Sequence, residues 1–209
     1  GVKRDGTIVA HEMEAFLDAG AYGGFRPGAV IGGVAHAGGC YRAAHARISV
    51  SRVYTNNLPG GQMRAPGEPQ GVFAAESHID CVARKVGIDP VKFRLKNLMV
   101  EGDETLTGSH YRGIKAKATL HAAVKAAGYD APKPKHVGRG VAMGYRGPGG
   151  GNTAMQISLN ADGSMVIHTG LFEQGTGTYT TLRQITAEEL HCDPEKIRID
   201  TLDTDLGAS

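Results

Sequence analysis

One arginine stands in a stiff turn rich in glycine and proline at residues 60–71, which read GGQMRAPGEPQG. Arg64 lies between Met63 and Ala65, and a helix-like run begins near Pro69. The amides at a helix N-terminus carry partial positive charge, and an arginine adds five permanently protonated N–H donors. This combination suits an anionic or oxo-rich ligand. The alternative is structural, with Arg64 binding a carboxylate or a carbonyl inside a packed turn.

A second glycine-rich turn, Gly175-Thr176-Gly177, lies between a predicted strand and a predicted helix within residues 170–184. Its backbone N–H groups and the neighbouring threonine hydroxyls could bind a phosphate or a pterin. The third glycine of a dinucleotide fingerprint and the lysine of a P-loop are both missing. An ordinary strand-to-helix turn is the alternative.

The remaining polar positions show weaker patterns. The GPGGG stretch at 147–151 predicts a flexible turn or a loop close to a cofactor, and Asp203-Thr204-Asp205 predicts a polar loop after a strand. Neither metal-ligand spacing of histidines nor a Ser-His-Asp order can be recognised. The histidines and helical glutamates considered for these roles are His36, His78, His168, Glu188 and Glu189.

Both turns must be positioned by the strands and helices around them. Alternating apolar residues predict strands, and apolar residues at three- and four-residue steps predict amphipathic helices. The predicted strands span 6–24, 46–57, 138–147, 151–160, 164–169 and 196–203. The predicted helices span 69–86, 89–99, 117–130 and 177–191, and 23–40 is predicted as loop and short helix.

This mixture of elements predicts an α+β fold in two lobes. The segment 131–137, rich in proline and lysine, is the best candidate for a linker between a first lobe at 1–130 and a second at 138–209. We expect both lobes to be partial, because the chain begins without methionine and ends just after a predicted strand.

The composition excludes several classes of protein. The chain has 209 residues, a net charge of +2 and 31 glycines, so a dedicated nucleic-acid binder is not indicated. No apolar stretch is long enough for a membrane span. Cys40, Cys81 and Cys192 are too far apart for a disulfide framework or a zinc knuckle, which predicts buried free thiols.

Several stretches, taken in order, resemble the molybdenum-cofactor-binding subunit of the xanthine dehydrogenase and aldehyde oxidase family. They include KRDGTIVA, VYTNNLPGGQMRAPGEPQ and AAESHIDCVARKVGIDPVKFRLKNLM in the first lobe. They continue with GRGVAMGY, LNADGSMVIHTG and EQGTGTYTTLRQITAEEL in the second lobe. The forms RAPG and GTGTYT are most similar to the bacterial branch with separate subunits.

The resemblance implies an enzyme that hydroxylates an aldehyde or an N-heterocycle with oxygen from water. It implies a molybdenum–pterin cofactor, with the cytosine dinucleotide form possible, and [2Fe–2S] and FAD centres on an iron–sulfur subunit and an FAD subunit. No membrane span is implied, and a cytoplasmic location is the default, with the periplasm reachable through a partner's export signal.

The resemblance also assigns roles to residues. Arg64, with Met63, matches the turn whose backbone lies near the molybdenum oxo groups. Gln174, Gly175, Thr176 and Gly177 match the turn that holds the pterin and its phosphate side. No direct metal ligand and no catalytic residue is expected in these 209 residues, because the family's general-base glutamate matches a motif beyond Ser209.

Three departures from the family pattern bear on the substrate. Pro66 stands where xanthine-type enzymes have a stacking phenylalanine, and Gly32 stands, without gaps, where they have an arginine. Thr176 replaces the glutamine of the pterin turn. We therefore expect an aldehyde or another small substrate. These residues alone are expected to show no activity, because the resemblance puts the general-base glutamate beyond Ser209 and a glutamine loop near the metal before Gly1. A non-redox phosphate-binding module and a non-catalytic assembly lobe are the alternatives.

Overall fold

Strands and helices are mixed along the chain in the computed structural model, which describes residues 1–22, 28–36, 40–105, 110–145 and 152–201. In chain order the elements described are β1 (Ala10–Asp18), α1 (Gly28–His36), β2 (His45–Val53), α2 (Glu68–Lys85), α3 (Pro90–Asn97), α4 (Ala116–Ala126), β3 (Met155–Leu159), β4 (Met165–Thr169), α5 (Thr178–Leu190) and β5 (Ile197–Thr201). The predicted α+β class is confirmed. None of the helices described is both long and apolar enough to span a membrane.

The chain divides into two compact units, Gly1–Gly147 and Pro148–Ser209. The sequence placed the boundary between lobes earlier, at 131–137. After that segment the chain still contacts the first unit, because the Met143 N–H donates to a carboxylate oxygen of Glu76 at 2.8 Å. The division into two cofactor-binding lobes stays a prediction.

The strand predicted at 138–147 is wrong over its described part, because residues 138–145 form no strand. Val141 and Met143 pack instead against the core of the first unit. Their apolar side chains produced the strand-like pattern, but no neighbouring strand is paired with them in the described structure.

Strands β1 and β2 pair in parallel over nine residues each. Side chains along most of β1 alternate between half-buried and exposed positions, as the alternating sequence predicts. The strand is shorter than the predicted 6–24. It ends where the Asp18 carboxylate accepts the Gly20 N–H at 2.9 Å and the Gly20 backbone turns to a φ of 68°.

Helices α2, α3 and α4 bury the core of the first unit. Asp89 begins α3 as predicted, because its carboxylate accepts the N–H groups of Val91 and Lys92 at 3.0 Å each. Pro90 occupies the first helical position, and Gly87 follows α2 with a φ of 72°. The buried core residues are Ile8, Tyr41, Ile79, Ala83, Val91, Phe93, Leu98 and Leu120.

A buried ion pair joins α2 to α3. The Arg94 side chain is fully buried, and its Nε and Nη2 both lie 2.9 Å from Glu76 Oε2. Its Nη1 lies 2.7 Å from Asp80 Oδ1, and the Tyr41 hydroxyl donates to Glu76 Oε1 at 2.7 Å. Because every charged member has hydrogen-bonded partners, the network can be buried.

Helix α1 contacts the Arg64 turn through backbone atoms. A Cβ added to Gly33 would lie 2.0 Å from the Pro66 carbonyl oxygen, and one added to Gly67 would lie 2.2 Å from the Val30 carbonyl oxygen. Gly67 also has a φ of 80°. Glycine is therefore required on both sides of this contact.

The second unit is a three-stranded sheet in the order β3-β4-β5, covered by α5. The hairpin β3–β4 is antiparallel, and β4 and β5, which are linked through α5, are parallel. Met165, Ile167, Ala187 and Ile197 form its core. The predicted strand at 164–169 and the helix at 177–191 are confirmed within one residue, and the hairpin forms as predicted, with β3 beginning at Met155, four residues after the predicted start.

Arg94→Met should lower the free energy of unfolding by about 3–5 kcal/mol, because the Glu76 carboxylate would stay buried without its counter-charge. Urea denaturation measures this loss. Lys96→Met is the matched control, since it removes an exposed ion pair with Asp5 and should cost less than about 1 kcal/mol. Equal losses for the two variants would contradict a central role for Arg94.

Gly33→Ala should lower the free energy of unfolding by about 1–3 kcal/mol, because the added methyl group would collide with the Pro66 carbonyl. Gly32→Ala is the control on the same helix. Its Cβ would meet no atom of the described residues within 4 Å, so it should be neutral or stabilise by about 0.5–1 kcal/mol through helix propensity. Thermal or urea denaturation of the pair tests the contact, and a tolerated Gly33→Ala would refute it.

Candidate functional site

A groove of about 280 Å³ lies at the carboxyl end of β1 in the first unit. Met63, Arg64 and Pro66 line it together, with the end of β1 on one side and Val30 of α1 among the other lining residues. The side chain of Met63 is 84% exposed, and Arg64 is also exposed. Ligands commonly bind beyond the carboxyl ends of parallel strands, and this groove has that position.

Asp18 fixes the loop that leads into the groove. Its carboxylate accepts hydrogen bonds from the Thr55 hydroxyl at 2.5 Å, the Asn57 side-chain amide at 2.7 Å and the Gly20 N–H at 2.9 Å. These donors, in that order, lower the pKa of Asp18 below its ordinary value. A Cβ at Gly20 would lie 2.4 Å from Pro59 Cα, so the loop lies directly against the end of β1.

The Arg64 turn has a constrained backbone. Ala65 has a φ of 60°, which is uncommon for a residue with a side chain, and Pro66 follows it. The helix N-terminus behind the turn offers fewer donors than the sequence suggested. The Glu68 N–H donates to the Ala65 carbonyl at 3.1 Å, and Pro69 has no N–H. Among the described residues that line the groove, Arg64 is the one cationic side chain.

Gly32 directly precedes Gly33, which packs against the Pro66 carbonyl. The structure thus brings the two proposed substrate-pocket positions into the same part of the first unit. Of the two, Pro66 lines the groove, and Gly32 is not among the described residues that line it. No atom of the described residues lies within 4 Å of a Cβ added at Gly32.

The turn at Gln174, Gly175, Thr176 and Gly177 precedes α5 in the second unit, as predicted. Two of its backbone N–H groups are already engaged. Glu173 Oε1 accepts the Thr176 N–H at 2.6 Å and the Gly177 N–H at 3.0 Å. Glu173 therefore occupies two of the amides that were predicted to bind a phosphate or a pterin.

The pKa of Glu173 follows from two opposing effects. Desolvation by itself would raise the pKa of this carboxyl. The backbone donors of Gly177, Thr176, Tyr179 and Gly175 more than offset desolvation, and the pKa lies below its ordinary value. Glu173 is thus held as a carboxylate at neutral pH.

Asp18 and Glu173 were missed in the sequence. Glu173 had a usable signal, since it lies just before the predicted turn at 175–177, whereas Asp18 lay inside the strand predicted at 6–24 and had none. A carboxylate at such a position can accept the amides that the turn exposes. The sequence could not show which amides would come within reach.

Ser158, His168 and Asp200 lie close together on three neighbouring strands, although no Ser-His-Asp order is recognisable in the sequence. His168 Nε2 is 3.1 Å from Ser158 Oγ, and its Nδ1 is 3.6 Å from Asp200 Oδ2 and makes no hydrogen bond within the described part of the chain. A catalytic base is oriented by a hydrogen bond to its third partner. That hydrogen bond is not formed between His168 and Asp200, so the cluster does not have the geometry of a catalytic triad.

The other candidates gain no support. Glu188 and Glu189 are exposed, and Cys81 is also exposed, so the expectation of buried thiols is wrong there. Among the residues that the structure describes, no three His, Cys, Asp or Glu side chains cluster as metal ligands would. The stretch 147–151, the cluster 203–205 and the side chain of His36 lie outside the described residues.

Comparison with known proteins gives a consistent result. Two family models, both described as a molybdopterin cofactor-binding domain, match residues 1–98 and 114–209. The chain is 30% identical to a probable xanthine dehydrogenase subunit of Bacillus subtilis, over 98% of this chain and 29% of that protein. It is 31% identical to an aldehyde oxidoreductase of Megalodesulfovibrio gigas, over 84% of this chain and 20% of that protein.

A solved structure agrees with these relatives. The aldehyde oxidoreductase from Desulfovibrio desulfuricans superposes with a TM-score of 0.74 at 25% identity, over 99% of this chain and 24% of that one. The chain thus spans less than a third of each of these proteins. Two molybdopterin cofactor-binding domains match the chain in order, and its relatives are a xanthine dehydrogenase subunit and an aldehyde oxidoreductase. The chain therefore belongs to the molybdenum-binding xanthine dehydrogenase and aldehyde oxidase family.

Proposed function

We propose that the chain is part of a molybdenum hydroxylase that oxidises an aldehyde or an N-heterocycle with oxygen derived from water. The observation that carries this proposal is the ordered match of two molybdopterin cofactor-binding domains to residues 1–98 and 114–209. The groove at Arg64 supports it, because an exposed guanidinium beside a constrained backbone suits an oxo-rich, anionic group.

In this proposal Arg64 and the backbone near Met63 hold the oxo-bearing side of the cofactor. Gln174, Gly175, Thr176 and Gly177 hold its pterin. The cofactor, when bound, supplies the redox and oxygen-transfer chemistry. The chain's own part is to bind and orient: Asp18 keeps the loop before Arg64 in place, and the contact between Gly33 and Pro66 keeps the turn against α1.

Further parts of the enzyme are expected outside these 209 residues. They are the general-base glutamate, an iron–sulfur subunit and an FAD subunit that accept electrons. The cytosine dinucleotide form of the pterin and a cytoplasmic location, or a periplasmic one through a partner's export signal, complete the proposal.

One observation counts against the alternative of a non-redox phosphate-binding module. That alternative depended on the amides of the turn at 175–177, and Glu173 accepts two of these amides. A non-catalytic assembly lobe differs from the enzyme in one measurable property, which is its molybdenum content.

The intact parent chain, purified with its natural neighbours from cells that make the cofactor, should contain stoichiometric molybdenum by elemental analysis. Arg64→Met should weaken cofactor retention about tenfold or more, because a charge-assisted hydrogen bond is lost. Arg47→Met is the matched control, since Arg47 is exposed on β2 and is not among the described residues that line the groove.

The two variants separate the possible failures. Wild-type enzyme without molybdenum or pterin would overturn the enzymatic proposal. Full molybdenum content in both the wild type and Arg64→Met would support the enzymatic proposal but contradict a cofactor-binding role for Arg64.

The intact enzyme should turn over aromatic aldehydes with a kcat/KM at least about tenfold above that for xanthine. Pro66 offers no aromatic face for stacking a purine, and Gly32 offers no guanidinium for its oxygens. Steady-state assays with both substrate classes and an artificial electron acceptor measure the ratio. Faster turnover of xanthine would show that neither departure controls the substrate.

A further inference from the structure

The carboxylate of Glu173 occupies the place where a helix N-terminus would otherwise receive an external anion. Oε1 lies 2.6 Å from the Thr176 nitrogen and 3.0 Å from the Gly177 nitrogen, and Oε2 lies 3.4 Å from the Tyr179 nitrogen. Both oxygens are therefore engaged with the backbone at the start of α5. We call the N–H groups of Thr176, Gly177 and Tyr179 the α5 amide cluster.

Two glycines give the chain the shape that makes this contact possible. Gly175 has a φ of 81° and Gly177 a φ of 75°, a region that side chains disfavour. The turn folds back so that successive N–H groups converge on one point. Converging backbone amides at a helix start form a concavity for an anion. Here the chain supplies that anion itself.

Three threonine hydroxyl groups around the turn are also paired. The hydroxyls of Thr176 and Thr178 lie 2.9 Å apart, and the Thr181 hydroxyl donates to the Gly177 carbonyl at 3.0 Å. The negative charge of Glu173 offsets the partial positive charge of the helix N-terminus. A second anion at the same amides would meet both an occupied site and a like charge.

We propose that Glu173 is a positioning residue of the cofactor turn, whose carboxylate fixes the backbone from Gly175 to Tyr179 and closes the α5 amide cluster to phosphate. This inference rests on the proposed function for the identity of the ligand. The inference makes the proposed function more specific. The turn would recognise a neutral, hydrogen-bonding part of the cofactor, and other residues would bind the phosphate.

Hydrogen exchange tests the positioning role in the intact enzyme. Peptides that cover residues 172–180 report exchange of the α5 amide cluster by mass spectrometry. Glu173→Ala should exchange these amides about fivefold faster, the effect of losing one good helix cap. Glu188→Ala is the matched control, because Glu188 is an exposed glutamate near the other end of α5 and should leave these peptides unchanged.

Chemical rescue distinguishes a carboxylate that fills the cluster from a general loss of structure. Formate added to Glu173→Ala should restore slow exchange, whereas chloride at equal ionic strength should not. Inorganic phosphate should slow exchange in Glu173→Ala and have no effect on the wild type. If Glu173→Ala does not fold, Glu173→Gln replaces it. Exchange should then be faster without rescue by formate, because the neutral amide oxygen accepts the N–H groups more weakly and still fills the cluster.

The outcomes are separable from those of the proposed function. Unchanged exchange in Glu173→Ala, or phosphate protection in the wild type, would overturn the inference whatever the metal content. Loss of protection with full retention of molybdenum and pterin would also overturn it, because the turn would then not need Glu173 to hold the cofactor. Wild-type enzyme without molybdenum would refute the proposed function, while the exchange and rescue results would still test the contact.

Discussion

The packing of the first unit depends on one buried carboxylate. Glu76 accepts hydrogen bonds from Arg94, from the Tyr41 hydroxyl and from the Met143 N–H, so it joins two helices to two segments that are distant in sequence. A buried carboxylate is tolerated only when its lone pairs are satisfied. The positions of these segments are therefore interdependent, and α2, whose first turn follows Arg64, is held firmly behind the groove.

Carboxylates also shape the loops, on a smaller scale. Asp18 collects donors at the end of β1, Asp89 caps α3, and Glu173 accepts the amides at the start of α5. In each case an acidic side chain satisfies N–H or hydroxyl groups that a chain reversal exposes. Asp89 and Glu173 accept amides within a few residues, whereas Asp18 also accepts from Thr55 and Asn57, which are distant in sequence. Such carboxylates keep a turn in one shape, which suits a surface that must present fixed atoms to a ligand.

The sequence predicted most elements because their signals are local. The proline and aspartate before α3 and the apolar spacing of α2 depend on neighbouring residues only, and both helices form within one or two residues of the prediction. The prediction of a strand at 138–147 is wrong over its described part, because the apolar residues there pack against a core built by distant helices. At the site, Arg64 could be found from its turn chemistry. The engagement of Glu173 could not, because it depends on how far the chain folds back at two glycines.

Ala65 affects both the stability of the Arg64 turn and the direction of its backbone. A positive φ in a residue with a Cβ costs about 1–2 kcal/mol, and the following proline restricts this backbone further. Glycine at this position would relieve the strain, yet it would also let the peptide next to Arg64 sample other directions. The neighbouring contacts therefore hold the turn in a conformation that it would not adopt alone. At position 65, selection for a more stable protein would favour glycine. Selection for a fixed direction of the Arg64 guanidinium would favour alanine.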